Sequence, residues 1–182
     1  MFSMRTLIAL VFAVFLHAIE VECTVVRVAD GDTLTVAPVP RLPPEAKRGK
    51  SGDVYVRLLC IDTLEIWDDT KPKSADGFAA RDLLASMAGK DAVIILSDAG
   101  PTLSTDRYGR ILAFVRAKND KRTVQELLIL AGFSAYWRKW RDAPAPLHDR
   151  LIAAEAQARA DNTGAWRTQS ELMIRKASER PR

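Results

Sequence analysis

Apolar and polar residues alternate over residues 21–28, and an apolar-rich run follows over residues 33–39, with Asp-Gly between them. Period-two alternation places side chains on opposite faces, so these segments predict two strands around a tight turn. Further strand-like runs cover residues 54–61, 93–97 and 111–117. The intervening residues 38–52 are rich in Pro, Lys, Arg and Gly, and predict a long exposed loop.

Helical spacing appears three times. Residues 74–88 carry Ala79, Leu83 and Met87 at i, i+4 and i+8, and stop at Gly89. Thr123 and Glu126 form a capping box, opening a helix that would bury Val124, Leu127, Leu128 and Ala131 before Gly132. A third helix follows Pro146, with Leu147, Leu151, Ala154 and Ala158 on one face, and closes near Asn162-Thr163-Gly164. Trp166 is expected to pack back as a lid on the core. The order is five strands, with one helix inserted before the last pair. It contains no internal repeat and no second domain.

A chain of 182 residues, 48% hydrophobic, supports one domain with a proper core. Its net charge of +4 suits a polyanionic partner without identifying one. The only histidines are His17 and His148, and Cys23 and Cys60 lie far apart. That scarcity disfavours a structural zinc site and a Ser-His-Asp hydrolase. Any chemistry must rest on carboxylates and arginines, with or without a metal. The cysteines fit a disulfide or two buried free thiols equally well.

Residues 1–18 have the character of an export signal. Arg5 precedes an apolar run over residues 6–15, and Ala18 is a cleavage point, although Leu16 is not the usual small residue before it. An uncleaved membrane anchor is the alternative. On this reading residues 19–166 form the domain. Residues 167–182 form a basic polar tail, solvated or lending electrostatic attraction to nucleic acid.

Three motifs carry candidate chemistry: Asp30-Gly31-Asp32-Thr33, the run from Arg57 through Asp62-Thr63 to Glu65, and Asp106-Arg107-Tyr108-Gly109-Arg110. Their carboxylates can hold a hard cation, and Arg57 and Arg110 can grip phosphate oxygens with a planar fork. Glu65 is a candidate base, a weak one at an ordinary pKa of about 4.3. Asp-Gly-Asp alone is a common turn. Arg57 alone could be an outward strand residue, and Arg110 could simply pair with Asp106.

In this order and beside these strand-like runs, the motifs resemble those of the thermonuclease, or staphylococcal-nuclease-like, family, over roughly residues 21–166. The resemblance implies an α+β fold, a five-stranded OB-type barrel with three helices. It implies Ca²⁺ held by Asp32, Asp62 and the Thr63 carbonyl, with Asp30 close to the metal but not a ligand. Arg57, Glu65 and Arg110 take catalytic places. Arg107 and Tyr108 match positions that touch a terminal phosphate, Trp140 stands where a tyrosine stacks near a base, and Arg138 replaces another tyrosine. The implied activity is hydrolysis of DNA and RNA, preferably single-stranded, by a monomer that needs no stable protein partner. Such cleavage breaks the phosphorus–5′-oxygen bond and leaves 3′-phosphates. A catalytically inactive OB-type module that binds nucleic acid or protein is the rival. An envelope protein held by its uncleaved signal is a third reading. The family usually has proline where this chain has Leu64, so leucine is expected to loosen Glu65 and lower turnover.

Overall fold

The computed structural model describes residues 18–66 and 74–180. The export-signal expectation for residues 1–18 falls, apart from Ala18, outside them. Among the described residues no helix is long and apolar enough to cross a membrane.

The chain opens with β1 (Ile19–Asp30), β2 (Thr33–Val36) and β3 (Val54–Leu58). Then come α1 (Ala75–Ala88), β4 (Val93–Asp98), the two-residue β5 (Ser104–Thr105) and β6 (Ile111–Ala117). Helices α2 (Val124–Leu130), α3 (Leu147–Ala160), α4 (Ala165–Thr168) and α5 (Ser170–Ser178) complete it. The strands run in the order β3-β2-β1-β4-β6-β5, and a parallel pairing of β3 with β6 closes the sheet into a barrel. The fold is α+β, a closed barrel of five principal strands with helices around it, as the sequence implies.

Alternation in β1 sets the geometry. Ile19, Val21, Cys23 and Val25 point inward, while Glu20, Glu22 and Thr24 stay exposed. Residues 19–24 pair with β4, and residues 25–30 turn to β2 through two irregularities in register. Such irregularities bend a strand, letting one long strand serve both halves of a barrel. Cys23 and Cys60 are both buried and free, which resolves the disulfide question. Burial pushes their thiols up to about 11 and about 12.

Three expectations need correction. The buried stripe of α1 is Gly77, Ala80, Leu84 and Ala88, one position round from the predicted face; Leu83 and Met87 pack only at the margin. Residues 38–52 are not wholly exposed, since Leu42 and Ala46 plug into the core. The C-terminal segment is not simply a solvated tail: α5 docks through Met173, 1% exposed, onto Leu64, Ala135, Ala158, Ala165 and Trp166.

Helix α2 also does more than cover the barrel. Thr123 Oγ1 caps it by accepting from Glu126 N at 3.2 Å, whereas the Glu126 carboxylate lies 3.3 Å from Arg150. Beyond the last β3–β6 pair, Leu58 with Ala113, the buried amide of Gln125 bonds the β6 backbone. It accepts from Val115 N at 3.1 Å and donates to Ala113 O at 2.9 Å. Gln125→Leu would strand a buried N–H, so we expect a loss of about 1–3 kcal/mol, read as a lower denaturant midpoint.

Candidate nucleic-acid-processing site

Two close approaches bring the first two motifs together. Gly31 sits in the β1–β2 turn, and a Cβ there would lie 2.7 Å from both Thr63 Oγ1 and Ala80 Cβ. Only glycine lets this turn press against Thr63. Gly77 does the same for α1: a Cβ there would lie 2.5 Å from the Leu64 carbonyl oxygen. Pairing of Thr33 with Arg57 places Arg57 beside the Asp30–Asp32 turn. After Leu58 the chain leaves the sheet, with Cys60 at a positive φ of 60°. That left-handed residue turns the backbone so that Asp62 comes back to meet Asp32.

Arg57 joins the two acids. Its NH2 lies 3.0 Å from Asp32 Oδ2 and 2.9 Å from Asp62 Oδ1, and its NH1 donates to Leu58 O at 3.0 Å. Asp32 is buried and accepts further bonds from Thr33 Oγ1 at 2.9 Å and Thr63 N at 3.2 Å. Burial nevertheless raises its pKa; Arg57 pulls the other way, and the Asp62 and Asp30 charges add to the rise. Ser134 Oγ accepts from Asp62 N at 3.0 Å.

These groups face a cleft of about 750 Å³ that also holds Asp30, Glu65, Arg107, Tyr108, Arg110 and Trp140. Glu65 is the most exposed of the four acids. Partial desolvation, a hydrogen bond with Asp30 and the Asp32, Asp30 and Asp62 charges push its pKa up to about 7. Thr63 is placed differently. It is 3% exposed and lies beneath the cleft, with its N–H holding Asp32.

The third motif forms the opposite wall. Asp106 Oδ1 accepts from the backbone N–H of Tyr108 and of Arg110, both at 2.9 Å, a local turn that fits the Asp-x-x-Gly sequence. Asp106 Oδ2 takes Arg110 Nε at 2.8 Å and NH2 at 2.7 Å, so Arg110 is both ion-paired and in the cleft. Desolvation works against the Asp106 charge, but the Arg110 bonds outweigh it and the pKa falls. Lys47 N bonds Gly109 O at 2.7 Å, tying the 38–52 loop to this wall. Arg107 lies over the Tyr108 ring at 4.7 Å. Tyr108 and Trp140 are 56% and 73% exposed, and Trp140 meets Trp137 edge to face at 6.3 Å. Arg138 faces away from the cleft, towards Asp142 at 3.5 Å and a separate hollow beside α3.

The donor set fits a hard divalent cation held loosely. Acids face one another, and burial first and neighbouring acids second raise the pKa values of Asp32 and Glu65. Among the described residues no three His, Cys, Asp or Glu side chains form a ready cage, so Asp32 and Asp62 would need water or substrate oxygens to complete a shell. Ca²⁺ accepts such irregular oxygen coordination.

Sequence reasoning missed the contribution of α5. Lys176 Nζ donates to the Asp62 carbonyl oxygen at 3.1 Å and to Asp62 Oδ2. Trp137 Nε1 donates to Glu179 Oε2 at 2.6 Å. The available signal was the spacing of Leu172, Met173, Lys176 and Ala177, one face of a helix. The same helix explains Leu64. It is 8% exposed and sits in the α5 docking cluster, so leucine here is an anchor rather than a loosened proline position.

Residues 55–168 match the family model described as staphylococcal nuclease homologue. The chain is also similar to an uncharacterized endonuclease of Escherichia coli, with 28% identity over 167 residues and 90% of each chain covered.

Truncating the Leu64 anchor tests the docking. Leu64→Ala should cost about 2–4 kcal/mol, the range for a buried leucine, and should speed hydrogen exchange across residues 165–178 more than across the barrel strands.

Proposed function

The chain belongs to the staphylococcal nuclease homologues, and from that premise we propose that it is a Ca²⁺-dependent, sugar-nonspecific nuclease whose cleft hydrolyses phosphodiesters in single-stranded or frayed DNA and RNA. Nuclease activity in general follows from the family. The finer reading is supported above all by one observation: five carboxylates, Arg57 and Arg110 share a single cleft. The rival reading, an inactive OB-type binding module, is disfavoured because none of these groups is missing.

In this mechanism Arg57 and Arg110 bind the non-bridging oxygens of the scissile phosphate. Their charge gains value as phosphorus becomes five-coordinate and negative charge builds there. Asp106 aims Arg110, and Asp32 aims Arg57. A divalent cation held by Asp32 and Asp62 would supply electrostatic stabilisation of the phosphate and polarise water beside it. Glu65 takes the proton of the attacking water, and a pKa lifted towards neutrality makes it a far better base than a free glutamate. The phosphorus–5′-oxygen bond breaks, the leaving 5′-oxygen takes a proton from solvent water, and the phosphate stays on the 3′-oxygen. Tyr108 and Trp140 offer exposed rings on which bases can stack without regard to sequence. Arg107 supplies a further cation for a terminal phosphate.

We also propose export, with cleavage after Ala18. Ile19 is the first residue of β1 and its N–H bonds Gly100 O at 3.0 Å, so removing residues 1–18 would leave the barrel whole. An intact mass beginning at Ile19 is the expected observation; retention of Met1 in a membrane fraction would favour the anchor.

The central experiment follows acid-soluble nucleotide release from denatured DNA across pH, with Ca²⁺, Mg²⁺ or chelator. Release should require Ca²⁺, proceed poorly with Mg²⁺ and stop in chelator. Glu65 acts only when deprotonated, so the rate should fall as pH drops through the Glu65 pKa. A bound cation places that limb at or below about pH 7. Glu65→Gln should remove the limb and about 10²–10⁴-fold of the rate. Full activity in chelator would sink the metal-dependent reading.

A further inference from the structure

Lys176 is a partly buried cation that none of the three motifs accounts for. It belongs to α5, beyond the residues 55–168 that match the family model. Its side chain is only 12% exposed, and among the described residues its ammonium bonds Asp62, at the carbonyl oxygen and at Oδ2. The other carboxylate oxygen, Oδ1, is taken by Arg57 at 2.9 Å. Asp62 therefore has a cation on each carboxylate oxygen before any metal arrives.

We propose that Lys176 is an internal competitor of the metal: its ion pair with Asp62 lowers the cation affinity of the site, and cation binding loosens α5. The inference rests on the metal-dependent reading of Asp32 and Asp62 given above.

The physical argument is one of shared charge. A carboxylate that donates electron density to a divalent cation has less to offer an ammonium, and the two positive charges repel across it. Partial burial keeps water from screening that repulsion. Coupling of this kind is reciprocal, so whatever Lys176 costs the cation, the cation costs the docking of Lys176.

The mechanical side is equally specific. Helix α5 has nine residues, too few to persist in water without tertiary contacts. Its attachments are Met173 in the Leu64–Trp166 cluster, the Lys176–Asp62 pair, and Glu179 just beyond its end, bonded to Trp137 and 3.7 Å from Lys139. Trp137 and Lys139 both line the cleft. Weakening the Lys176 attachment thus removes a polar hold between Met173 and Glu179 and frees the next segment to part from the cleft wall. Lys176 is a positioning and affinity-setting residue; it need touch no substrate.

The experiment uses the intact protein and Ca²⁺ alone, without nucleic acid. Calorimetry gives the Ca²⁺ dissociation constant for wild type, Lys176→Met and Lys176→Arg, with circular dichroism to establish folding. Hydrogen exchange over residues 170–178 is followed with and without saturating Ca²⁺. Lys176→Met keeps the stem and removes the charge, and should bind Ca²⁺ about tenfold more tightly, equivalent to ~1.4 kcal/mol. Lys176→Arg should stay close to wild type, and exchange in wild-type α5 should quicken when Ca²⁺ is added.

Unchanged or weaker Ca²⁺ binding by a folded Lys176→Met would overturn the competition while leaving the metal-dependent reading intact. Tighter binding without faster α5 exchange would overturn the coupling to the helix. Failure of every variant to bind Ca²⁺ would defeat the metal reading and the competition together. Should Lys176→Met not fold, the wild-type exchange measurement alone still decides, because α5 protection that stays constant on Ca²⁺ binding refutes the coupling.

Discussion

The terminal nitrogen of Arg57 that lies between Asp32 Oδ2 and Asp62 Oδ1 is the constraint on which the cleft depends. Arg57 is 9% exposed and leaves the barrel from β3, Asp32 follows the β1–β2 turn, and Asp62 lies beyond the end of β3. One guanidinium therefore fixes two loops relative to one strand. Removing a partner from such a buried pairing leaves an uncompensated charge, at a cost of about 3–5 kcal/mol. The arrangement also explains how several carboxylates tolerate one another. Charge balance around Asp62 is carried by Arg57 and Lys176, whereas Asp32 and Glu65 are left with raised pKa values.

Three of the positive groups at or beside the cleft differ in their attachment. Arg57 is held by the sheet, Arg110 by its own turn through Asp106, and Lys176 by a helix resting on a second, smaller apolar cluster. The groups placed to meet phosphate sit on the stiff barrel and its turn. Lys176 sits on a short helix whose one buried residue is Met173, the kind of element from which local opening is drawn.

The barrel and the three motifs were legible in the sequence because their signals are local. Alternation in β1 and the Asp-x-x-Gly turn state their own geometry. The true face of α1 was less visible, since Gly77, Ala80 and Ala88 carry little apolar weight and matter because they permit close approach. Helix α5 was obscured for another reason. The Leu172–Ile174 run around Met173 is short and flanked by charges, and the partners Leu64, Ala135 and Ala158 are distant along the chain. Leu64 looked like a defect in a motif, but it is the contact face of an element outside that motif. Thr63 carries a contact that motif reading did not show, an N–H bond to Asp32.

β1 has a consequence for how the molecule is made. Ile19 pairs with Asp98, and β3 joins β6 in parallel, so the barrel cannot close until most of the chain is present. Such non-local pairings are slow to form, because loop closure must precede the contacts that reward it. During synthesis the first strand has only β2 as an early partner, and its Ile19–Thr24 half waits for β4. The topology thus builds in a delay before folding, during which the apolar Ile19–Val25 face of the first strand lacks most of its cover.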